Sequence, residues 1–470
     1  MSNAKIFNQD VAYSFYTNEK YAEDLLYHTG YSLFYIYREG HYEKLTQEDF
    51  RKEVITFIRK NFPRQNWTIN SVKDIVSWVE HECLRQTDEE DRYYIAFRDC
   101  LYNTKTFQVE PFDREKIVTY SLPFFYKDIE METPNFNRFL ETSLVKQKTF
   151  EPDKKLILVA QEMFGSIFID NLKASKAFFL YGESGQNGKS TFTNLIRDVV
   201  GKEFCSPLSL SDLSKTFGLS PLIGKKVNIA DELDDKFGSS KMFKQLVTGE
   251  PVGDQHKYGQ HFTLSNRAKF IYSTNVMPTF DGLDGGLRRR VMIIPFYREF
   301  KNSDVDKDFD LPDKLRAEIP GIVKWALEGA KRLVESSYRF TECKATDKMM
   351  EEFEDEASSS LRFFRDNYII DNTDTENKKW FPIQKIYDDY LSWNMREGSK
   401  KPAGKKRFIK DIRGIWSSID TIVYRYRDDY EYAAGKPVQC INVYRKPELD
   451  DIEEQVMTVE EAAEQGVIFQ

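Results

Sequence analysis

Cysteine and histidine are scarce in this chain of 470 residues, with five of each. Cys83, Cys100, Cys205, Cys343 and Cys440 are scattered, odd in number and nowhere spaced C-x-x-C, and no histidine stands at metal-ligand spacing from them. A disulfide scaffold and a zinc module are thereby excluded, and unpaired thiols of a reducing cytosol are expected. Apolar runs such as Val291–Phe296 fall far short of the roughly 18–20 residues that a bilayer crossing needs. No N-terminal stretch reads as a signal peptide, and no internal repeat or low-complexity tract is present. Aromatic residues, by contrast, are plentiful. The 36 Phe and 26 Tyr supply too much burial area for a disordered chain. The composition predicts a soluble, cytoplasmic protein of about three domains, without a membrane partner.

The formal charge of −8 gives no hint of a nucleic-acid partner until it is divided along the chain. Residues 377–446 hold 16 Lys+Arg against 8 Asp+Glu, whereas residues 447–470 hold 8 acids and no base. A basic block therefore stands beside an acidic tail. Within the block, Ile386, Tyr387, Tyr390, Leu391 and Trp393 follow a helical spacing, as do Phe408, Ile409, Ile412, Ile415 and Trp416. Lys405, Lys406 and Arg407 precede the second apolar series. β-like segments at Thr421–Tyr426 and Val438–Tyr444 complete a winged-helix pattern in which those three cations would contact DNA phosphates. A solubility role, or docking of the acidic tail, is the plainer alternative.

The chemistry concentrates after residue 176. The apolar strand Ala177–Tyr181 runs into Gly182-Glu183-Ser184-Gly185-Gln186-Asn187-Gly188-Lys189-Ser190-Thr191, and Phe192, Leu195, Ile196, Val199 and Val200 then follow helical spacing. Strand, glycine-rich loop and helix are the context of a phosphate-binding loop. Loop amides and the helix N-terminus would cradle a triphosphate, Lys189 would reach its outer phosphates, and the Ser190 hydroxyl would hold Mg²⁺. The strict pattern puts glycine at 183; here the first glycine, Gly182, stands one residue further out. A second apolar strand, Lys226–Ala230, ends in Asp231-Glu232, where Asp231 would support Mg²⁺ and Glu232 would orient the attacking water. A third, Ala268–Thr274, ends in Asn275, an amide suited to the γ-phosphate or the lytic water. Alone, the acid pair reads as a solvated strand end and the amide as a turn residue. Three strand ends of this kind in one order point to an ATPase.

These motifs resemble the superfamily 3 helicases of the AAA+ class, in particular the poxvirus- and phage-type primase–helicases and the replication initiators of staphylococcal pathogenicity islands. Asn187–Thr191 is similar to the end of their Walker A motif, Asp231-Glu232 to Walker B, and Ser273-Thr274-Asn275-x-x-Pro278 to their third motif, with Asn275 as sensor 1. Gly285–Phe296, containing Arg288, Arg289 and Arg290, is similar to their arginine-plus-strand signature. The resemblance implies a ring, most simply a hexamer, in which a neighbour's Arg290, or Arg289 next to it, reaches the γ-phosphate. It also implies a pore hairpin before sensor 1, with Lys257 gripping single-stranded DNA and His256 or Tyr258 packing on sugar or base.

The expected architecture is α/β: an N-terminal α+β domain (1–150), an AAA+ motor (151–340), a helical connector (341–376), a winged-helix-like domain (377–446) and the acidic tail. The expected function is an ATP- and Mg²⁺-dependent replicative DNA helicase and initiator of a mobile element. It would act on single-stranded, forked and origin duplex DNA in a bacterial host cell. An origin-binding initiator that uses ATP as an assembly switch is the other reading. Fewer than 180 residues precede the loop, and no carboxylate triad for nucleotidyl transfer stands among them, so a primase is not expected here.

Overall fold

The structure, a computed structural model, describes residues 7–63, 67–170, 175–231, 240–255, 261–277, 285–301, 308–373, 378–397, 402–416, 418–425, 437–446 and 468–469. It is a mixed α/β protein with a parallel-sheet core. The chain divides into two compact units. The first comprises residues 1–233, 245–275 and 294–343, and the second residues 234–244, 276–293 and 344–470.

In the first unit the aromatic N-terminal segment forms a four-stranded sheet in the order His41–Leu45, Leu33–Arg38, Leu25–His28, Gln86–Thr87. The aromatic, β-branched stretch of residues 32–41, broken at Gly40, predicts a hairpin, and that hairpin is the sheet's first pair. Helices Asn8–Tyr16, Gln47–Asn61 and Ile69–Glu82 share a core with it, in which Phe34 and Phe50 stack at 3.8 Å between ring centres. Thr46 caps the second helix, as its Thr-x-x-Asp pattern predicts, by accepting from the Asp49 N–H at 3.1 Å. The pattern Ser71-x-x-Asp74 before Val72, Ile75, Val76 and Val79 predicts that the third helix opens at Ser71, but it begins earlier. Thr68 takes the capping position and accepts from the Ser71 N–H, so Ser71 lies within the first turn.

The parallel sheet has the order Val291–Pro295, Ala177–Tyr181, Lys269–Thr274, Val227–Ala230, Cys205–Ser206, all in the same unit except Val291, Met292 and Ile293 at the start of the first strand. The pairings of Lys269–Thr274 with Ala177–Tyr181 and with Val227–Ala230 are parallel, as is that of Val227–Ala230 with Cys205–Ser206. Their near-continuous apolar sequences suit strands covered on both faces. From Ala177–Tyr181 the chain goes to the far edge, returns strand by strand, and then crosses to the other side of its starting strand. The carboxyl ends of Ala177–Tyr181 and Lys269–Thr274 are thus neighbours at a topological switch point, the usual ligand position in an open α/β sheet.

In the second unit, helices Lys344–Ala357, Ser359–Asn367, Ile383–Arg396 and Lys405–Ile415 accompany short strands that include Thr421–Arg425 and Pro437–Ile441, an antiparallel pair. Leu361, Phe363, Phe364, Ile386, Tyr390, Phe408, Ile412 and Ile441 form one core. The two apolar series of the basic block are therefore helices that bury those faces together.

Candidate nucleotide site

The glycine-rich loop leaves the sheet after Tyr181 and ends at Gly188, whose φ of +90° opens the helix Lys189–Val200. That conformation favours glycine at 188. The helix stays because Phe192, Leu195, Ile196, Val199 and Val200 bury one face, as their spacing predicts. Two backbone bonds tie the loop to its neighbours: Gly182 N–H to Thr274 O at 3.3 Å, and Phe300 N–H to Gln186 O at 2.8 Å.

Lys189 is buried, and its ammonium donates to Gly182 O (3.0 Å), Asn187 Oδ1 (3.0 Å) and Asn275 Oδ1 (2.8 Å). Burial pulls its pKa down from 10.5 to about 8. The displaced first glycine now has a physical reason. A Cβ at Gly182 would stand 2.1 Å from Asn187 Nδ2 and 3.0 Å from Lys189 Nζ, so the backbone must be bare where these side chains fold back. Asn187 Nδ2 in turn holds Ser184 O at 2.7 Å. Gly185 has no atom within 4 Å of a would-be Cβ, so space does not require glycine there. Ser190 is exposed and Thr191 half-buried at the start of the helix.

Asp231, one residue past the end of Val227–Ala230, meets the same helix. Its Oδ2 pairs with Arg197 Nη2 at 2.6 Å, and its Oδ1 accepts from Thr193 Oγ1 at 2.9 Å. Arg197 is braced in addition by Asn194 Oδ1 and Ile229 O. Thr193 and Arg197 escaped the sequence reading. The available signal was their position four and eight residues after Lys189, on one helix face. Glu232 lies outside the described residues, as do His256, Lys257 and Tyr258. The strands that flank those three, Pro251–Gln255 and His261–Ser265, do pair antiparallel, with Gln255 opposite His261.

The three arginines belong to the second unit and have three different surroundings. Arg288 grips the buried Glu354 with Nη1 at 3.0 and 2.9 Å from its two oxygens, and Arg365 Nη2 holds one of them at 2.5 Å. Arg290 is half-buried and donates from Nη1 to Gly286 O at 2.8 Å; Arg289 is exposed. On the helix Lys405–Ile415, Lys405 is half-buried against Gln384, Arg407 pairs with Asp411 at 2.8 Å, and Lys406 is exposed. Lys410 and Arg413, not singled out from the sequence, are exposed on the same helix. Among the described residues, no helix is long and apolar enough to cross a membrane.

Residues 16–145 match the family described as D5 N terminal like, and residues 180–290 match a family of unknown function, DUF5906. Three viral proteins are similar to parts of the chain. They are the putative helicase L207/L206 of Acanthamoeba polyphaga mimivirus (23% identical, covering 52% of this chain and 25% of that protein), primase D5 of fowlpox virus (29%, 27% and 17%) and putative helicase 184R of invertebrate iridescent virus 6 (21%, 76% and 40%). The matches support the family of viral primase–helicases. The chain spans between 17% and 40% of the length of these relatives, and their viral sources give no support to a bacterial host. Apo structures of the NrS-1 C-terminal region are similar at 15% identity (89% of this chain, 96% of that one, TM-score 0.44) and 14% identity (94%, 100%, TM-score 0.45).

Proposed function

We propose that this chain is the motor part of an ATP-dependent DNA helicase serving replication, working as a ring on single-stranded DNA. One observation carries the reading: Lys189, Asn187 and Asn275 are hydrogen-bonded into one cluster where a glycine-rich loop, a helix N-terminus and two parallel strand ends meet. Lys189 is already desolvated, so meeting a triphosphate costs little further hydration and raises its pKa again. The helix amides after Gly188 add donors for the phosphate oxygens. Gly182 leaves the room that the cradle needs.

The donor set suits Mg²⁺, a hard cation that takes oxygen ligands. The Ser190 hydroxyl and the Asp231 carboxylate are the groups that would hold it. With nucleotide bound, the ion would neutralise charge on the phosphates. Glu232 would orient the attacking water, Asn275 would fix the water or the γ-phosphate, and an arginine from a neighbouring subunit would meet the developing charge. Arg289 suits that last role better than Arg290, because its side chain is exposed while Arg290 is engaged by the Gly286 carbonyl. The hairpin bearing His256, Lys257 and Tyr258 would carry the strand. The exposed cations of the helix Lys405–Ile415 would hold duplex phosphates, of a fork or an origin.

The Arg197–Asp231 pair favours a second reading, in which ATP acts as an assembly switch. Arginine competes with a cation for this carboxylate, so Mg²⁺-nucleotide binding would rearrange the site. Forked-duplex unwinding separates the two when measured for the wild type and Lys189→Ala, with DNA binding in parallel. ATP-dependent unwinding that vanishes in Lys189→Ala supports the motor; nucleotide-dependent assembly and DNA binding without unwinding support the switch.

A further inference from the structure

The parallel sheet has a second polar end. Lys226 stands immediately before Val227–Ala230, Arg267 two residues before Lys269–Thr274, and Val227 and Lys269 are partners in the sheet register. These residues therefore lie at the amino ends of the strands, opposite the ends that carry Asp231 and Asn275. Lys225 and Lys226, Arg267, and Arg92 of the N-terminal segment line one crevice whose wall holds two carboxylates, Glu90 and Asp170. Lys269, buried behind them, adds a further cation that interacts with Lys226, Arg267 and Asp170.

The pairing within this cluster leaves a surplus of positive charge. Arg92 pairs with Glu90 at 3.2 Å and Arg267 with Asp170 at a loose 3.8 Å. Lys226 lies 5.0 Å from the centre of the Tyr120 ring, and Lys225 donates to the carbonyl of Glu203. Two buried atoms of the wall, Arg267 Nε and Glu90 Oε1, have no hydrogen-bond partner in the protein. Burial and like-charge neighbours pull the pKa of Lys226 down, and that of Lys269 to about 8. Removing cations from water without enough carboxylates is costly, and an anion offsets that cost.

The space has the matching form. The crevice encloses about 40 Å³, room for roughly three waters and hence for one tetrahedral oxyanion. It shares Thr119, Phe204, Gly224 and Lys225 with a larger cleft of about 590 Å³, a size usual for small-molecule sites. No atom stands within 4 Å of the place a side chain at Gly224 would occupy, so there is free space beside this shared wall residue. The cleft offers Glu39 and Glu43 for accepting from hydroxyl or amino groups, over a floor in which Tyr35 and Phe97 are buried.

We propose that this crevice and cleft form a second nucleoside-phosphate site, with the phosphate between Lys225, Lys226 and Arg267 and the nucleoside in the larger cleft. The site is independent of the glycine-rich loop. Calorimetric titration of the full chain with ATP, in the wild type and in Lys189→Ala, tests it. The wild type is expected to bind two nucleotides per chain and Lys189→Ala one. In the Lys189→Ala background, Lys226→Gln and Arg267→Gln should each weaken the remaining binding at least tenfold, and inorganic phosphate should compete with it. Lys225→Gln, at a half-buried rim position where folding is less at stake, should weaken it in the same direction. Absence of any binding to Lys189→Ala overturns the proposal, as does remaining binding that is indifferent to Lys225→Gln or to phosphate. One nucleotide bound equally by wild type and Lys189→Ala, and lost with Lys225→Gln, would support this site and count against the loop.

Discussion

Lys189 Nζ and Asn275 Oδ1, 86 residues apart in sequence, are 2.8 Å apart in the folded chain. The hydrogen bond joins the helix after the glycine-rich loop to the end of the strand beside that loop. Lys189→Ala is expected to lower ATP hydrolysis roughly 10²–10³-fold, the loss usual when one donor to developing charge is removed. Asn275→Ala should lower turnover while leaving nucleotide affinity within a few-fold of wild type. Steady-state hydrolysis together with direct nucleotide binding checks both.

Arg197 and Asp231 form a half-exposed pair, with side-chain exposures of 21% and 43%. Its contribution to stability is therefore modest, about 1 kcal/mol or less. Arg197→Met should barely move the melting temperature but should free Asp231, so half-maximal hydrolysis is expected at lower Mg²⁺. A Mg²⁺ titration of ATPase rate, with thermal melting as the control, measures the two effects separately.

Arg288 and Arg289 should separate folding from catalysis. Glu354 is fully buried, and Arg288→Ala leaves it with one arginine partner, at a cost of about 2–4 kcal/mol. Arg289→Ala should leave stability unchanged and abolish ATPase activity. Mixing Arg289→Ala with Lys189→Ala subunits should then restore part of it, because intact loops meet intact arginines across subunits. No recovery at any mixing ratio would remove Arg289 from that role, and the same mixing with Arg290→Ala tests the other candidate.

His28 predicts a pH dependence. It is buried, stacks on Tyr31 at 4.5 Å and accepts from the Tyr31 N–H; burial foremost, and Arg92 nearby, lower its pKa below 6.5, against the opposing pull of Glu90 and Asp88. The unfolded chain thus binds this proton more readily. Stability is intact above about pH 6.5 and falls as pH drops below it, through the lowered folded value. Melting curves between pH 7.5 and 5 should show that fall, and His28→Asn should flatten it.

Lys406 and Lys410 are exposed on one helix four residues apart. Replacing either with Ala is expected to weaken duplex DNA binding with little dependence on sequence and to reduce the salt slope by about 1. Binding isotherms at several salt concentrations read this directly.

The candidate site was legible where its parts are local. An apolar strand, a glycine-rich loop and an apolar helical period are each written in consecutive residues, so strand Ala177–Tyr181 and helix Lys189–Val200 follow from sequence. The Ser71-x-x-Asp74 pattern points to a cap three residues from the actual one of Ile69–Glu82, because Thr68 and Ser71 carry the same hydroxyl chemistry. Only the chain's path shows which of them precedes the first turn.

By itself, then, the sequence determined the local elements, the order of the polar strand ends and the division of charge between residues 377–446 and 447–470. It did not determine which polar groups meet. That Arg197 engages Asp231, that Arg288 serves Glu354 while Arg289 is exposed, and that Lys226 and Arg267 face Arg92 are results of sheet order and helix packing. The physical reason is range: backbone preference and hydrophobic period act over a few neighbours, whereas a buried charge selects its partner from whatever the fold brings within a few ångströms.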